Sequence, residues 1–157
     1  MAFPKKKART GMKGGVKPKK RALRSISALK TILWGLCREI IRKRYQKPNG
    51  TWNCYTCDRL IDAPHKAQTG HGIPSSVGGA GLRFHLDNLR IQDYYCNINL
   101  GGNGAEFYRR LVAEIGQEKV DALYILKNKI TKADRYWYEN KINEYTEILS
   151  TDLIKEG

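Results

Sequence analysis

Two cysteines three positions apart, Cys54 and Cys57, constrain the fold of this chain more than any other feature. A CxxC turn places two thiolates on one metal ion, and a second pair of ligands from a distant loop closes a tetrahedral structural site. In this chain the second pair would be Asp93 and Cys96. A carboxylate can bind Zn2+, so these four residues predict a structural zinc site.

The sequence leaves the identity of the fourth ligand open. A second CxxC pair would have a cysteine three residues before Cys96, and Asp93 stands there instead. His65 or His85 could supply the ligand instead. The competing interpretation is a redox pair of Cys54 and Cys57, or a site that no longer binds metal. A structural zinc could contribute on the order of 10 kcal/mol to folding, which is more than a segment this poor in apolar residues would gain by packing.

The net charge points to a polyanionic partner. The 157 residues are enough for about one domain, and 29 Lys and Arg against 15 Asp and Glu give a formal charge of +14. Each phosphate neutralised by Lys or Arg releases condensed counterions, so nucleic acid is the first expectation and an anionic membrane the second. No run approaches the roughly 18 apolar residues of a membrane span, and no apolar segment of a signal peptide follows the N-terminal charges, which predicts a cytoplasmic protein.

Most of the positive charge lies in residues 1–24, which carry ten basic residues and no acidic one. The other 133 residues hold 19 basic and 15 acidic residues, a net charge of only +4. The segment is rich in glycine and proline and poor in large apolar residues, so we predict a disordered arm that binds DNA phosphates. The alternatives are a solubilising tail or a nuclear-import signal. The basic residues predicted to contact DNA are Lys5, Lys6, Lys7, Arg9, Lys19, Lys20 and Arg21.

Helical periodicity begins after this arm. Residues 25–47 predict an N-terminal helix, with Ser25 or Ser27 as its cap and apolar residues at steps of three and four. Cys37 lies beside the apolar stripe and is expected to pack in the core. On the opposite face, Arg42 and Lys43 could extend the DNA-binding surface or be merely solvated.

Residues 105–157 predict further helices. The first ends at Gly116, the second runs from about Gln117, and the last starts near Thr131 or Lys132. The last carries an aromatic stripe that we expect to form core or dimer contacts rather than a platform for stacked bases, because its spacing is helical. Its members are Tyr136, Trp137, Ile142, Tyr145, Ile148 and Leu149.

The central segment, residues 50–104, is rich in turn formers. Short strands are expected on both sides of the glycine-rich loop 75–81, one carrying His71 and the other near Leu82–Leu86. A short helix is expected around Tyr94–Leu100, ended by the glycines that follow.

His71 is the candidate catalyst of this segment. Glycines on both sides leave backbone room for a phosphate, Asn88 follows after 17 residues, and Asn97 follows nine residues later, directly after Cys96.

These residues resemble those of the HNH, or ββα-metal, nucleases. The chain is most similar to the NinG (Rap) family of lambdoid-phage recombination nucleases, over about residues 28–150. The resemblance is carried by Leu33-Trp34, Ile41-Arg42-Lys43-Arg44, Cys54-Tyr55-Thr56-Cys57, Gln68-Thr69-Gly70-His71, Ile73-Pro74, Leu82-Arg83-Phe84, Asp87-Asn88-Leu89, Cys96-Asn97, Gly102-Asn103, Ile115-Gly116-Gln117-Glu118 and Val120-Asp121.

The resemblance implies an α+β, mainly helical fold, in which a zinc-stabilised ββα-metal finger lies between an N-terminal helix and C-terminal helices, in one domain of residues 25–157. It also implies a metal-dependent endonuclease that cleaves branched DNA such as Holliday junctions or D-loops. By the same resemblance, His71 is the general base that activates water, Asn88 pins the loop and so orients His71, and Asn97 binds a catalytic Mg2+ or Mn2+.

One departure concerns that cation. Many HNH enzymes carry an acidic ligand just before the histidine, whereas Gly70 stands here, as in the NinG pattern. Since Mg2+ prefers near-octahedral oxygen, substrate phosphate, water and one further side chain are expected to complete the shell around Asn97. The candidates are Asp87, Asn103 and Glu106.

Two other functions fit the same sequence. One is a zinc-knuckle DNA-binding protein without catalysis, and the other is an HNH enzyme that cuts ordinary duplex DNA. On the junction-cleaving interpretation, two symmetric nicks require a homodimer. Other recombination proteins are further possible partners, no membrane is involved, and the expected location is the nucleoid of a bacterial host cell.

Overall fold

The computed structural model describes residues 23–129 and 131–155. Within them five α-helices and four short strands follow one another in the order α-β-β-β-α-β-α-α-α. The fold class is α+β and mainly helical, as predicted. Residues 1–22 of the predicted arm lie outside the described part, so their role on DNA stays a prediction.

The first helix, α1, spans Ile26–Tyr45, which confirms the predicted N-terminal helix. Ser25 caps it by accepting a hydrogen bond of 3.1 Å from the backbone N–H of Ala28. Cys37 lies fully buried on the apolar face of the helix, and burial raises the pKa of its thiol to about 12. The prediction that Cys37 packs in the core is confirmed.

The last helix, α5, spans Arg135–Lys155 and packs along α1. It starts three to four residues later than predicted, where Asp134 accepts a hydrogen bond of 2.9 Å from the N–H of Trp137. Tyr136 is 72% exposed and so lies outside the core, and its role as a dimer contact stays a prediction. Tyr138 is the buried aromatic residue at this end of the helix.

Two pairs of antiparallel strands lie between these helices. β1 (Trp52–Asn53) pairs with β2 (Leu60–Ile61), and β3 (Gln68–His71) pairs with β4 (Leu89–Gln92). The register of the second pair sets Gln68 opposite Gln92 and His71 opposite Leu89.

The predicted strand for His71 is confirmed, but the predicted partner strand near Leu82–Leu86 was wrong. That region contains the short helix α2 (Gly79–Arg83), followed by a 3-10 turn at Leu86–Asn88. The true partner, β4, is buried at all four positions. Its sequence, Leu89-Arg90-Ile91-Gln92, alternates apolar and polar residues as a half-buried strand does. The burial of its two polar residues depends on contacts that the sequence does not show.

A five-residue π-helix, Tyr95–Asn99, follows β4, which confirms the short helix expected there. Two further helices, α3 (Gly104–Ile115) and α4 (Gln117–Lys127), meet at Gly116, whose φ of 88° suits the predicted helix end. Phe107, Leu111, Val120 and Leu123 on these helices form a small second core with Ile73 and Leu82. No helix in the described part of the chain has the length and apolar character needed to cross a membrane.

Candidate metal centre and histidine site

The predicted zinc ligands meet in space. The Sγ atoms of Cys54, Cys57 and Cys96 and a carboxylate oxygen of Asp93 all lie within 4.8 Å of one another. Three of the four residues are buried, and Cys57 is exposed. Three thiols and one carboxylate are ligands that Zn2+ accepts in tetrahedral sites, so this cluster can hold a metal such as zinc. Asp93, rather than either histidine proposed as an alternative, accompanies the three cysteines.

Hydrogen bonds orient the Asp93 carboxylate within this cluster. Its Oδ1 accepts a bond of 2.8 Å from the backbone N–H of Cys96, and its Oδ2 lies 3.2 Å from Cys57 Sγ. The backbone N–H of Tyr55 donates to the carbonyl of Ile91 over 2.8 Å and so ties the CxxC turn to β4. A ligating carboxylate held by a second hydrogen bond is the usual arrangement of a metal site.

His71 ends β3 and lies between two supports. Its imidazole stacks on the indole of Trp34 from α1, with ring centroids 5.3 Å apart and an angle of 7° between planes. Its Nε2 lies 3.1 Å from the carbonyl oxygen of Arg83. A carbonyl can only accept, so a neutral His71 carries its proton on Nε2 and presents Nδ1 as the acceptor. Burial lowers the pKa of His71 and outweighs the raising effect of the Arg83 carbonyl.

Asn88 is completely buried and holds the chain just after His71. Its Oδ1 accepts from the N–H of Ile73 over 2.7 Å, and its Nδ2 donates to the carbonyls of Ile73 and Leu82 over 3.0 and 3.3 Å. Its backbone carbonyl accepts from the N–H of Gly72. Asn88 is therefore placed as a positioning residue for the turn after β3, and its effect on catalysis stays a prediction.

Asn97, on the π-helix, faces the strand pair. Its Nδ2 donates to Oε1 of Gln68 over 2.8 Å. A Cβ atom built on Gly70 would lie 3.0 Å from Asn97 Oδ1 and only 1.9 Å from Oε1 of Gln92. Two amide oxygens therefore approach the residue that precedes His71.

Gln92 was missed by the sequence analysis, because a lone glutamine in a four-residue strand carries no recognisable motif. Its side chain is fully buried. Its Nε2 donates to Thr56 Oγ1 over 3.0 Å and to the carbonyl of Gly102 over 2.8 Å. Its Oε1 has no hydrogen-bond partner among the residues that the structure describes.

Glu106 and Asn103 were two of the candidates for a further ligand of the catalytic cation. Glu106 binds Arg109 and Arg110 at its carboxylate, and these hydrogen bonds lower the pKa of Glu106 to about 2. Asn103 lies just before α3 in a left-handed conformation with a φ of 50°.

Arg42 has a structural contact, because its Nε and Nη2 donate to the carbonyl of Ala67 over 3.4 and 3.3 Å. The same contact joins the last turns of α1 to the residue before β3. DNA binding by Arg42 and its neighbour Lys43 stays a prediction.

Comparison with known proteins identifies the family. No curated protein and no solved structure matches the chain significantly. The family model described as the bacteriophage lambda NinG protein matches residues 4–155, which is nearly the whole chain. On that match, the chain that builds this cysteine–aspartate cluster and carries His71 at the end of β3 belongs to the NinG family.

Proposed function

We propose that this protein is a metal-dependent, structure-selective DNA endonuclease that hydrolyses phosphodiester bonds in branched recombination intermediates such as Holliday junctions and D-loops. The observation that supports it best is the setting of His71. The imidazole stacks on Trp34, its Nε2 faces a carbonyl, and its pKa is lowered by burial. A histidine in this state suits a general base at neutral pH.

In the proposed reaction, Nδ1 of His71 takes a proton from the water that attacks phosphorus. A positioned base of this kind typically contributes about 10² to 10⁴ in rate. The carbonyl of Arg83 stabilises the imidazolium that forms, because Nε2–H continues to donate to it. Trp34 and the turn held by Asn88 keep the ring in place during this transfer.

The layout around His71 agrees with a ββα-metal finger. An antiparallel pair, β3 and β4, is followed directly by a short helix, with His71 at the end of the first strand and Asn97 on the helix. The zinc ligands Asp93 and Cys96 flank the start of that helix. In this proposal the zinc is structural and fixes the helix relative to the strands.

A divalent cation, Mg2+ or Mn2+, would stabilise the charge that develops on the phosphate and on the leaving oxygen. Asn97 would be one of its ligands. The surroundings fit such an ion, since Asn97 Oδ1 approaches Gly70, and the buried Oε1 of Gln92 beside it has no donor in the described part of the chain.

Branched DNA is proposed as the substrate on the basis of the family and the charge. The NinG family is related to phage recombination, and a formal charge of +14 favours a polyanion with closely spaced phosphates. Paired nicks in a four-way junction would require two copies of the chain, so we propose a homodimer.

The second candidate is a zinc-knuckle protein that binds DNA without cutting it. Gly70 favours this candidate, because the residue just before His71 brings no carboxylate to a cation. A third candidate, cleavage of ordinary duplex, differs from the first only in its substrate.

One experiment separates the three candidates. Zinc-loaded protein is incubated with a labelled four-way junction and with a linear duplex of matched sequence, with Mg2+, with Mn2+ and without either ion. Metal-dependent nicking confined to the junction supports the proposal, and equal nicking of both substrates supports the duplex enzyme. Tight binding without a product under any condition supports the binding protein. Zinc content is measured in each sample, because chelators could also remove the structural ion.

The matched variants for this experiment are His71→Ala and His85→Ala. His71→Ala should lower cleavage by about 10² to 10⁴ and leave junction binding within about threefold. His85→Ala should cleave like the unmodified protein. Cleavage by His71→Ala at the unmodified rate would remove His71 from the mechanism.

A further inference from the structure

We propose that Oε1 of Gln92, which lies against Gly70, is a ligand of the divalent cation together with Oδ1 of Asn97. This inference rests on the endonuclease proposed above and names a residue that completes its cation site. It gives the cation a second protein oxygen where Asn97 alone is a weak site.

The orientation of the Gln92 amide is fixed by its donors. The carbonyl of Gly102 accepts from Nε2 over 2.8 Å, and a carbonyl cannot donate, so Nε2 must face Gly102. Oε1 must therefore face Gly70. A buried amide oxygen without a donor costs free energy of about 1 to 3 kcal/mol, and binding a cation is one way to remove that cost.

A glycine is required at position 70 because a larger residue would clash with a neighbouring side chain, and not because of its backbone conformation. It lies in β3 and is not among the glycines with positive φ, so an ordinary residue could adopt its conformation. What excludes a side chain is Gln92, whose Oε1 and Cδ would lie 1.9 and 2.8 Å from an added Cβ. The oxygen of Gln92 thus occupies the position that a side chain at residue 70 would take.

The distances suit one ion. Oε1 of Gln92 and Oδ1 of Asn97 lie 1.9 and 3.0 Å from the same Cβ position, so they are less than 5 Å apart. Two oxygens at about 2.1 Å from one Mg2+ are separated by about 3 to 4 Å. Gln92 is buried and Asn97 is partly exposed, so water and a phosphate oxygen could complete the shell from the side of Asn97.

The test measures Mn2+ binding by electron paramagnetic resonance on the zinc-loaded full chain without DNA. Gln92→Ala should weaken Mn2+ binding by at least about tenfold. The double variant Gly70→Asp/Gln92→Ala should recover affinity to within about threefold, because a carboxylate then fits the vacated space and supplies the oxygen. Gln117→Ala, at an exposed residue, is the control and should bind like the unmodified protein.

Two results would overturn the inference. One is unchanged Mn2+ affinity in Gln92→Ala. The other is failure of the double variant to gain affinity over Gln92→Ala when both keep their zinc and melt at the same temperature. That comparison is independent of the hydrogen bonds of Nε2, because both variants lack them.

A measurement on the unmodified protein covers the case in which Gln92→Ala does not fold. Substoichiometric Mn2+ should broaden the side-chain amide signals of Gln92 and Asn97 first. Gln46, an exposed residue that follows the end of α1, is the reference. Broadening of Asn97 without Gln92 would overturn the inference.

The cation site and the nuclease can fail separately. If Gln92→Ala binds Mn2+ normally while the unmodified protein cleaves junctions, the site is wrong and the proposed function stands. If the predicted Mn2+ pattern holds and no DNA is cleaved, the site stands and the proposed function is wrong.

Discussion

The indole of Trp34 lies parallel to the imidazole of His71, with a centroid separation of 5.3 Å. Trp34 belongs to α1, whereas His71 ends β3, so the stack fixes the histidine to a helix that contributes five buried residues to the main core. The second contact is at the edge of the ring, where Nε2 lies 3.1 Å from the carbonyl oxygen of Arg83. The imidazole is therefore oriented by two elements that are distant in sequence.

Replacing Trp34 should disturb the position of the His71 imidazole without weakening the binding of the DNA junction. Trp34→Ala should lower kcat for junction cleavage by about 10- to 100-fold, because a small displacement of a base is costly. KM should change little, and Trp34→Phe should restore most of the rate by stacking again. Single-turnover and steady-state kinetics on zinc-loaded protein distinguish these effects. Equal rates for the Ala and Phe variants would show that the stack does not orient His71.

The pH dependence of cleavage should show the lowered pKa of His71. Burial disfavours the imidazolium, so the acidic limb of the rate profile should have its midpoint below 6.5, the ordinary value for imidazole. Between the two values the unfolded chain binds more protons than the folded chain. The free energy of unfolding should therefore fall as the pH drops below 6.5. Single-turnover rates from pH 4.5 to 8, with zinc content checked at each pH, test this, and a midpoint above 6.5 would contradict it.

Loss of a zinc ligand should unfold the central segment. Cys57→Ser should lose bound zinc and cooperative melting together, since a structural zinc contributes on the order of 10 kcal/mol. Cys37→Ala is the matched control, because Cys37 is buried in the core away from the metal cluster. It should keep one zinc per chain at a cost of about 1 kcal/mol. Metal analysis and thermal circular dichroism measure both quantities. A Cys57→Ser protein with full zinc and an unchanged melting curve would refute the structural role.

The carboxylate ligand can be tested by exchange. Asp93→Cys should retain zinc because it supplies a fourth thiolate at the same position. Asp93→Ala should weaken zinc binding by at least about tenfold, whereas His65→Ala and His85→Ala should not. Competition with a chromogenic chelator gives the affinities. Zinc loss in either histidine variant would show that this histidine, and not Asp93, is the fourth zinc ligand.

The ion pair between the buried Arg90 and the more exposed Glu114 should contribute to the stability of the folded chain. Nε of the buried Arg90 donates to Oε2 of Glu114 over 2.9 Å, and the rings of Tyr45 and Tyr55 each lie 5.4 Å from its guanidinium carbon. Glu114→Ala would leave this cation without its carboxylate, so we expect a loss of about 2 to 3 kcal/mol. Urea unfolding measures it, with the exposed Glu147→Ala as a control that should change by less than about 0.5 kcal/mol. A Glu114→Ala loss no larger than that of the control would mean that water replaces the carboxylate.

Long periodic segments and the metal ligands were predictable from the sequence. The boundaries of α1 and the end of α3 at Gly116 follow from local capping and backbone conformation. The partner of β3 was not predictable, because β4 contains Arg90 and Gln92 at fully buried positions. Arg90 donates to Glu114, and Nε2 of Gln92 donates to the carbonyl of Gly102, so these buried polar groups find partners elsewhere in the chain. Only the folded arrangement shows that a polar residue there belongs to the interior.

The residues of the metal cluster and those of the proposed cation site are sequence neighbours, since Gln92 precedes Asp93 and Asn97 follows Cys96. The backbone that positions one metal therefore positions the other. A newly made chain that has not yet acquired zinc would lack the geometry for the activity proposed here. In a host cell short of zinc, the amount of working enzyme would be limited by metal supply and not by the rate of protein synthesis.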